Sequence, residues 1–337
     1  MELRILNLNS WHGLYARTWV RVERLESDEV RERRTVATVE GIKALDPHVV
    51  TLQECFPQPA FADRLAKDLG YPHVSQVSNA GMRIFGTGYP LGVETGEGST
   101  ILAKPELKMR SLGRKALSGY GLTHHRLSFQ FVDKRMALAC ALEIDGKELV
   151  IVTFHVRYDW AGFDLFEKAW RVLQERSVVE GDAPPELVRS VQNNMTRRDN
   201  EIATLATWVE KLTQGGVPFV LSGDLNLDDD APQTHALMAR MRLASSLQLA
   251  KDETSTWNPV KNTNIAPSAS FTHPDGTQKD LSGLVGAYHD QLQQRPDHVF
   301  VSPALHGGML DAKVVLDETI GGAFPSDHFG ILSRIKI

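Results

Sequence analysis

Residues Val217–Leu227 read VPFVLSGDLNL. An apolar run, Val217-Pro218-Phe219-Val220-Leu221, meets a tight Ser222-Gly223 step, and Asp224 and Asn226 follow two residues apart. A buried strand of this kind carries alternate side chains to the same side, so Asp224 and Asn226 are expected at its mouth pointing one way. A carboxylate and a carboxamide held together can orient a metal-bound phosphate or an attacking water. Gly, Asp and Asn are also turn formers, so the same letters describe an ordinary strand-ending turn. The rest of the chain has to decide between the two.

Other apolar runs end in the same fashion. Leu3–Leu8 alternates as a strand and delivers Asn9, followed by Trp11 and His12. Val49–Leu52 ends at Gln53-Glu54, and Glu148–Phe154 ends at His155. Asp297 opens the run DHVFV, and Ser326-Asp327-His328 comes just before the closing strand Ile331–Ile337. Each group taken singly is an exposed end, a satisfied histidine or a turn. Six strand termini that each offer a metal-binding or proton-transferring group exceed what turn chemistry predicts.

Between these strands lie helical stretches. Charged residues Val20–Arg34 suggest a solvated helical surface, and Val36, Val39, Ile42 and Leu45 an amphipathic helix stopped at Asp46-Pro47. Phe61–Leu69 reads as a helix closed by Gly70, and Arg197–Leu212 as one closed by Gly215-Gly216. Tyr71–Gly98 is rich in glycine and is expected to be mostly loop, with a strand at Ser99–Ala103. Phe129–Val132, Met136–Ile144 and Glu148–Phe154 read as successive antiparallel strands, the last two joined by an Asp145-Gly146 turn. Residues 157–196 break this rhythm with a helical stripe, Trp160, Phe163, Phe166, Trp170 and Leu173, that serves a core or caps an apolar ligand. Asp228–Asp230 before Pro232 suggests helix-capping acids. The pattern predicts an α+β fold, two mainly antiparallel sheets packed together with helices outside. It is expected to form one domain over residues 1–337, with a helical insert at about 157–196.

Bulk properties narrow the class. The chain has 337 residues, 42% apolar and 23% charged, enough to bury a sizeable core. A formal charge of −5 argues against a protein that coats nucleic acid through a basic surface. The basic residues Arg83, Lys104, Lys108, Arg110, Arg114, Lys115 and Arg126 leave a local basic wall open, and a solvated sheet edge explains Lys104–Lys115 equally. Cys55 and Cys140 sit in apolar contexts without metal-ligand spacing and read as reduced core thiols. Neither a signal peptide nor an apolar run of membrane-spanning length is evident, so a cytoplasmic location is expected, with signal-less export as the alternative.

The ordered pieces LNLNSW (Leu6–Trp11), LQE (Leu52–Glu54), TFH (Thr153–His155), GDLN (Gly223–Asn226), DHVFV (Asp297–Val301) and SDH (Ser326–His328) resemble the endonuclease/exonuclease/phosphatase superfamily, the DNase I-like fold. Within it the opening LRILNLNSWHG and the run Lys134–Val156 are similar to neutral sphingomyelinases. Two departures are His298, where the family commonly has an aromatic, and the extra length between His155 and Asp224. The resemblance implies a four-layer α/β/β/α sandwich and metal-assisted hydrolysis of a phosphodiester. It implies Glu54 and Asn9 at a Mg²⁺ site, with Mn²⁺ as the alternative ion and Asp327 as a further site residue. His328 would be the general base and Asp297 its partner. His155 would hydrogen-bond a phosphate oxygen or protonate the leaving group, while Asp224 and Asn226 orient water and phosphate; whether Asp224 or His328 takes the proton stays open. The implied substrate is a phospholipid head group reached by peripheral membrane contact. An endonuclease, or a phosphatase of inositol phosphates or nucleotides, is the alternative, and a non-catalytic binding relative is disfavoured because Glu54, His155, Asp224, Asp297 and His328 are all present. His12 and Lys134 are candidates to line the site, and His124, His125 and His273 have no assigned place.

Overall fold

The computed structural model describes the chain except residues 18–21, 25, 86, 125, 131, 159–162 and 274–275. Trp160 and His125 therefore lie outside the described residues. One sheet has seven strands in the order β14 (Met309–Val315), β15 (Gly330–Lys336), β1 (Glu2–Asn9), β4 (Val49–Cys55), β6 (Thr87–Ala103), β5 (His73–Ile84) and β8 (Leu127–Phe129). The other has six: β12 (Ala244–Ser245), β13 (Asp297–Val301), β11 (Phe219–Asp224), β10 (Lys147–His155), β9 (Arg135–Ile144) and β7 (Arg110–Ser118). A short hairpin, β2 (Leu14–Arg17) and β3 (Val22–Arg24), stands apart.

Most neighbours are antiparallel, but each sheet has one parallel pair at its centre, β1 with β4 and β10 with β11. In a parallel pair both strands end at the same edge. Asn9 is therefore level with Gln53, beside Glu54, and His155 lies directly across from Asp224. Because β13 runs antiparallel to β11, its first residue, Asp297, also pairs with Asp224. The strand pairing alone thus gathers the polar termini.

Alternation along the strands sorts the apolar residues into three layers. Leu3, Ile5, Val49 and Ile101 meet Leu138, Cys140, Ile151, Val220 and Val299 between the sheets. On the outer face of the seven-stranded sheet, Leu6, Leu8, Val50 and Leu52 pack under α1 (Asp28–Leu45) and α2 (Ala60–Leu69) through Val39, Ile42, Phe61 and Leu65. On the outer face of the six-stranded sheet, Val150, Val152, Phe154 and Leu221 pack under α4 (Pro185–Leu212) and α5 (Pro232–Met241) through Ile202, Leu205, Val209 and Leu237. Each such buried side chain contributes about 1.5–3 kcal/mol. The result is the α/β/β/α sandwich. Short α6 (Ser246–Ala250) sits at the β13 and β14 edge. A satellite cluster joins α3 (Phe163–Glu175), the start of α4 and α7 (Leu281–Asp290) through Phe166, Trp170, Leu173, Val191, Leu284 and Tyr288. Phe166, Trp170 and Leu173 of the stripe therefore serve a core, as their periodicity suggests.

Several expectations are corrected. Residues 73–84 and 87–103 are two long paired strands, not a loop. Glycine here permits close strand approach: a Cβ on Gly98 would stand 1.7 Å from the Gln76 carbonyl oxygen. Of the charged stretch 20–34, residues 22–24 form β3 and residues 28–34 belong to one continuous helix, α1, with Ser27 accepting from Val30 N at its start. Leu127–Phe129 pairs with β5 at the edge of the seven-stranded sheet rather than continuing towards β9. Nor do Asp228–Asp230 cap α5: Asp228 accepts from Arg295 N at 2.6 Å, and Asp229 holds His298 and Arg295. Cys55 and Cys140 are buried and free. No helix among the described residues is long and apolar enough to cross a membrane.

Candidate active site

A cleft of about 260 Å³ opens at the common edge of the central strands. Its lining includes Glu54, His155, Asp224, Asn226, Asp327 and His328, with Asn9 and Asp297 immediately behind. Every residue expected from the strand ends therefore converges on one place.

Asn9 bridges two of the strands: its Nδ2 donates to Asp224 Oδ2 at 2.9 Å and lies 3.4 Å from Glu54 Oε1. Its own Oδ1 accepts from Trp11 N at 3.1 Å, which fixes the amide orientation. His155 Nε2 stands 3.7 Å from both Glu54 Oε1 and Asp224 Oδ2. Facing them, His328 Nδ1 is 2.8 Å from Asp297 Oδ2, and Thr256 donates to that same oxygen at 2.7 Å. Trp257 meets the His328 ring edge-on at 5.0 Å.

Asn226 differs from the strand expectation. The strand ends at Asp224, and Asn226 has a left-handed backbone with φ of 53°. Its backbone N donates to Asp224 Oδ1 at 2.8 Å, and its side chain donates to the Val156 carbonyl at 3.0 Å. The GDLN letters are thus both a turn and a site, because the turn itself holds the aspartate in place.

Burial and neighbouring charge set the protonation of the cluster. Burial pushes the Asp224 carboxyl up to about 7, with Asp297 adding to it. Burial likewise raises Asp327 to about 6, with Glu54 contributing. Burial opposes ionisation of Glu54 too, yet His12, His155 and His328 outweigh it and hold that carboxyl far below its usual range. Burial, then Arg135, lowers His155 to about 3. Burial works against the charge on His328, but Asp297, Asp327 and Asp224 hold its imidazolium well above the ordinary histidine value.

Three further residues join the site, and two of them, Glu97 and Arg135, have no sequence signal. His12, an open candidate, is 3.3 Å from Glu54 through Nδ1 and 3.6 Å from Glu97 through Nε2. Glu97 comes from β6, inside the stretch expected to be loop, and accepts from Asn79 at 2.6 Å. Arg135 starts β9 and lies 3.3–3.4 Å from the His155 ring. The neighbouring Lys134 turns away and donates to the Gly121 carbonyl at 2.9 Å. His298 stacks on Phe300 and bonds Leu227 O and Asp229, His124 accepts from Arg126 N, and His273 bonds Thr277 through its backbone; none reaches the cleft.

Ligand atoms of His12, Glu54 and Glu97, and separately of Asp224, Asp297 and His328, lie within 4.8 Å of one another, so each trio can hold a metal ion. Oxygen donors from Glu54, Glu97, Asn9 and Asp327 around the first trio suit a hard divalent cation. The second trio is already joined by the His328–Asp297 hydrogen bond.

A fold of this kind with carboxylates and a histidine–aspartate pair at the sheet mouth defines a class of hydrolases. A model of the Endonuclease/Exonuclease/phosphatase family matches residues 7–328, and the chain belongs to that family of metal-dependent phosphoesterases; it is a phosphoric ester hydrolase. Solved structures share the fold. A humanized D. rerio TDP2 is 14% identical, with a TM-score of 0.57, covering 100% of this chain and 99% of that one. A Bacteroides thetaiotaomicron mannosyl-6-phosphatase is 16% identical, with a TM-score of 0.56 and coverage of 99% and 100%. The human Nocturnin catalytic domain with bound sulfate is 15% identical, with a TM-score of 0.53 and coverage of 99% and 94%. No curated protein sequence is a significant match.

Proposed function

We propose that the protein is a Mg²⁺-dependent phosphodiesterase that releases a phospholipid head group in the manner of a sphingomyelinase. The carrying observation is the His328–Asp297 pair, 2.8 Å apart, facing Glu54, Asn9, His155 and Asp224 across one cleft. Glu54 holds the ion, with Asn9, Asp327 and the additional carboxylate Glu97 beside it; when bound, the ion supplies Lewis-acid polarisation of a phosphoryl oxygen.

The protein groups divide the remaining work. Asp297 engages His328 Nδ1, so proton transfer falls to Nε2, and Thr256 keeps the Asp297 carboxylate aligned. Both Asp224 oxygens accept hydrogen bonds, from Asn9 and from Asn226 N, which suits an orienting role better than that of base. Lowered to about 3, His155 is neutral at working pH and donates one hydrogen bond to a phosphate oxygen rather than acting as an acid. Arg135 behind it adds positive charge beneath the phosphate.

The lining of the cleft supports the lipid reading of the substrate. Trp11, Tyr158 and Trp257 stand among Glu97, Asp290 and Asp327. Tyr158 donates to the Asp290 carboxylate at 2.7 Å and Trp257 to the Asp290 backbone carbonyl at 3.0 Å, so both aromatic residues are tied to this one acid. Aromatic faces beside a carboxylate suit a quaternary ammonium such as choline and repel a polyanion. The competing reading is a nuclease, for which D. rerio TDP2 complexed with a single-strand DNA product, at 16% identity, is the motive. The test is phosphocholine release from sphingomyelin in Mg²⁺ against release from DNA, with Glu54→Ala as control. Hydrolysis of DNA without phosphocholine release would overturn the lipid assignment.

A further inference from the structure

The outer end of the β5–β6 hairpin is built inside out. On β8, Ser128 is 2% exposed, and Gln130 just beyond it 1%, while Phe129 between them is 59% exposed. Leu127, Leu122, Ile84 and Phe85 are exposed with it. The register explains the patch. Phe129 lies across from Met82 on one side and bridges Leu122 on the other, and Leu127 lies across from Ile84. Directly paired residues share a face, so Leu122, Phe129, Met82, Leu127 and Ile84 form one continuous apolar surface. The polar alternates are tied inward: Ser128 donates to the Ala80 and Gly81 carbonyls, and Gln130 to Asn79 Oδ1.

Phe85 closes the hairpin with a φ of 52° and 94% exposure. A bulky residue in the left-handed region costs roughly 1–2 kcal/mol, and here no core burial offsets it. Its side chain therefore finds its environment outside the chain.

We propose that this apolar tip is the surface by which the enzyme docks on a phospholipid bilayer carrying anionic lipid; the proposal rests on the lipid reading of the active site. Two observations choose a bilayer over a second protein. The patch ends on a protruding turn, a shape that penetrates an interface and offers little area to a flat partner. Its fringe is basic: Arg126 beside Leu127, and Arg114, whose guanidinium lies 3.5 Å from the Thr123 carbonyl next to Leu122, are exposed although the chain as a whole carries −5. Such residues favour an anionic surface. The tip is also linked to the cleft, because Gln130 bonds Asn79 and Asn79 bonds Glu97 at the rim. Phe85 lies six positions beyond Asn79, at most about 20 Å along a strand shortened by the irregularities between Asn79 and Met82. Seating the tip thus holds the cleft a fixed distance from the lipid surface.

The test uses the full chain and vesicles of phosphatidylcholine with and without phosphatidylserine. The wild type is expected to float with the phosphatidylserine vesicles. Phe85→Ser with Phe129→Ser should weaken binding by at least about tenfold, as loss of buried aromatic surface predicts. Arg126→Glu with Arg114→Glu should remove the preference for phosphatidylserine. Phe85→Gly, which suits the left-handed turn, repeats the loss of binding without risk to the fold. All variants should hydrolyse soluble bis(p-nitrophenyl) phosphate at the wild-type rate. Equal vesicle binding by wild type and variants, or a wild-type dimer in sedimentation that the variants lose, would overturn the proposal. A wild type that binds vesicles yet releases no head group would instead overturn the reading of the active site.

Discussion

His328 and Asp297 form the contact on which the proposed chemistry turns, and their charges make its pH dependence calculable in sign. Asp297 is foremost among the carboxylates that raise His328, so Asp297→Asn should let the imidazole lose its proton at lower pH. The acid limb of kcat/KM should move down in pH while the maximal rate falls, on the order of 10³–10⁴-fold as for other histidine–aspartate pairs. A drop in rate with an unmoved acid limb would count against His328 as base. Glu54→Gln keeps the shape but removes the charge that suits a dication, so it should raise the Mg²⁺ concentration needed for half-maximal rate. At this scale the sequence disclosed the residues that end strands, Asn9, Glu54, His155, Asp224, Asp297 and His328. It was silent about Glu97 and Arg135, because a carboxylate in a glycine-rich stretch and an arginine opening a strand carry no local mark of facing a cleft.

Elements place these residues, and two features between elements hold the arrangement. Arg34 on α1 is buried; it pairs with Glu26 and donates to the carbonyls of Ser10 at 3.1 Å, Trp11 at 3.2 Å and Pro325 at 3.0 Å. Its guanidinium also lies 4.4 Å from the Trp11 ring. One side chain thus fastens the loop after Asn9 to the loop before Asp327-His328. Arg34→Met leaves Glu26 buried and unpaired, and should destabilise the fold by roughly 3–5 kcal/mol in a urea titration. Gly223 stands where β11 crowds β10, and an added Cβ would sit 2.0 Å from the Phe154 carbonyl oxygen. Gly223→Ala should therefore displace Asp224 from His155, lowering activity more than a surface Gly→Ala such as Gly146→Ala. Equal effects would show that the close approach is immaterial. Helices with one apolar face were readable from spacing. The β5 and β6 pair was not, since glycine reads as loop until a neighbouring backbone demands it.

At the scale of the whole molecule, the mouth gathers more negative than positive charge, and stability should register it. Asp224, raised to about 7, Asp327, raised to about 6, and His328, raised well above its ordinary value, each bind a proton more tightly folded than unfolded. Their contribution is full at pH below the unfolded values and fades as pH rises through the folded ones. His155 acts in the opposite sense until its unfolded-state proton is lost, by about pH 7.5, and Glu54 has lost its proton in both states well below that. Without divalent ions the melting temperature should therefore fall as pH rises above about 7.5, as Asp224 and then His328 lose their protons. Mg²⁺ at a hundredfold excess over its Kd should add about 2.7 kcal/mol. A melting temperature that is flat with pH and indifferent to Mg²⁺ would contradict the ion site.

What the sequence determined by itself was the order of strand ends and the chemistry each one bears, because apolar alternation and the residue that breaks it are local properties. From that order came the family and the α/β/β/α layers. Tertiary structure decided which groups meet. The parallel pairs β1–β4 and β10–β11 bring their ends to one edge, and the antiparallel β13 turns Asp297 towards His328. It also decided that Asn226 serves through a turn rather than a strand, and that Leu127 and Phe129 face outward. Those outcomes depend on partners far apart in the chain, and periodicity within a single strand cannot say which of its two faces is buried.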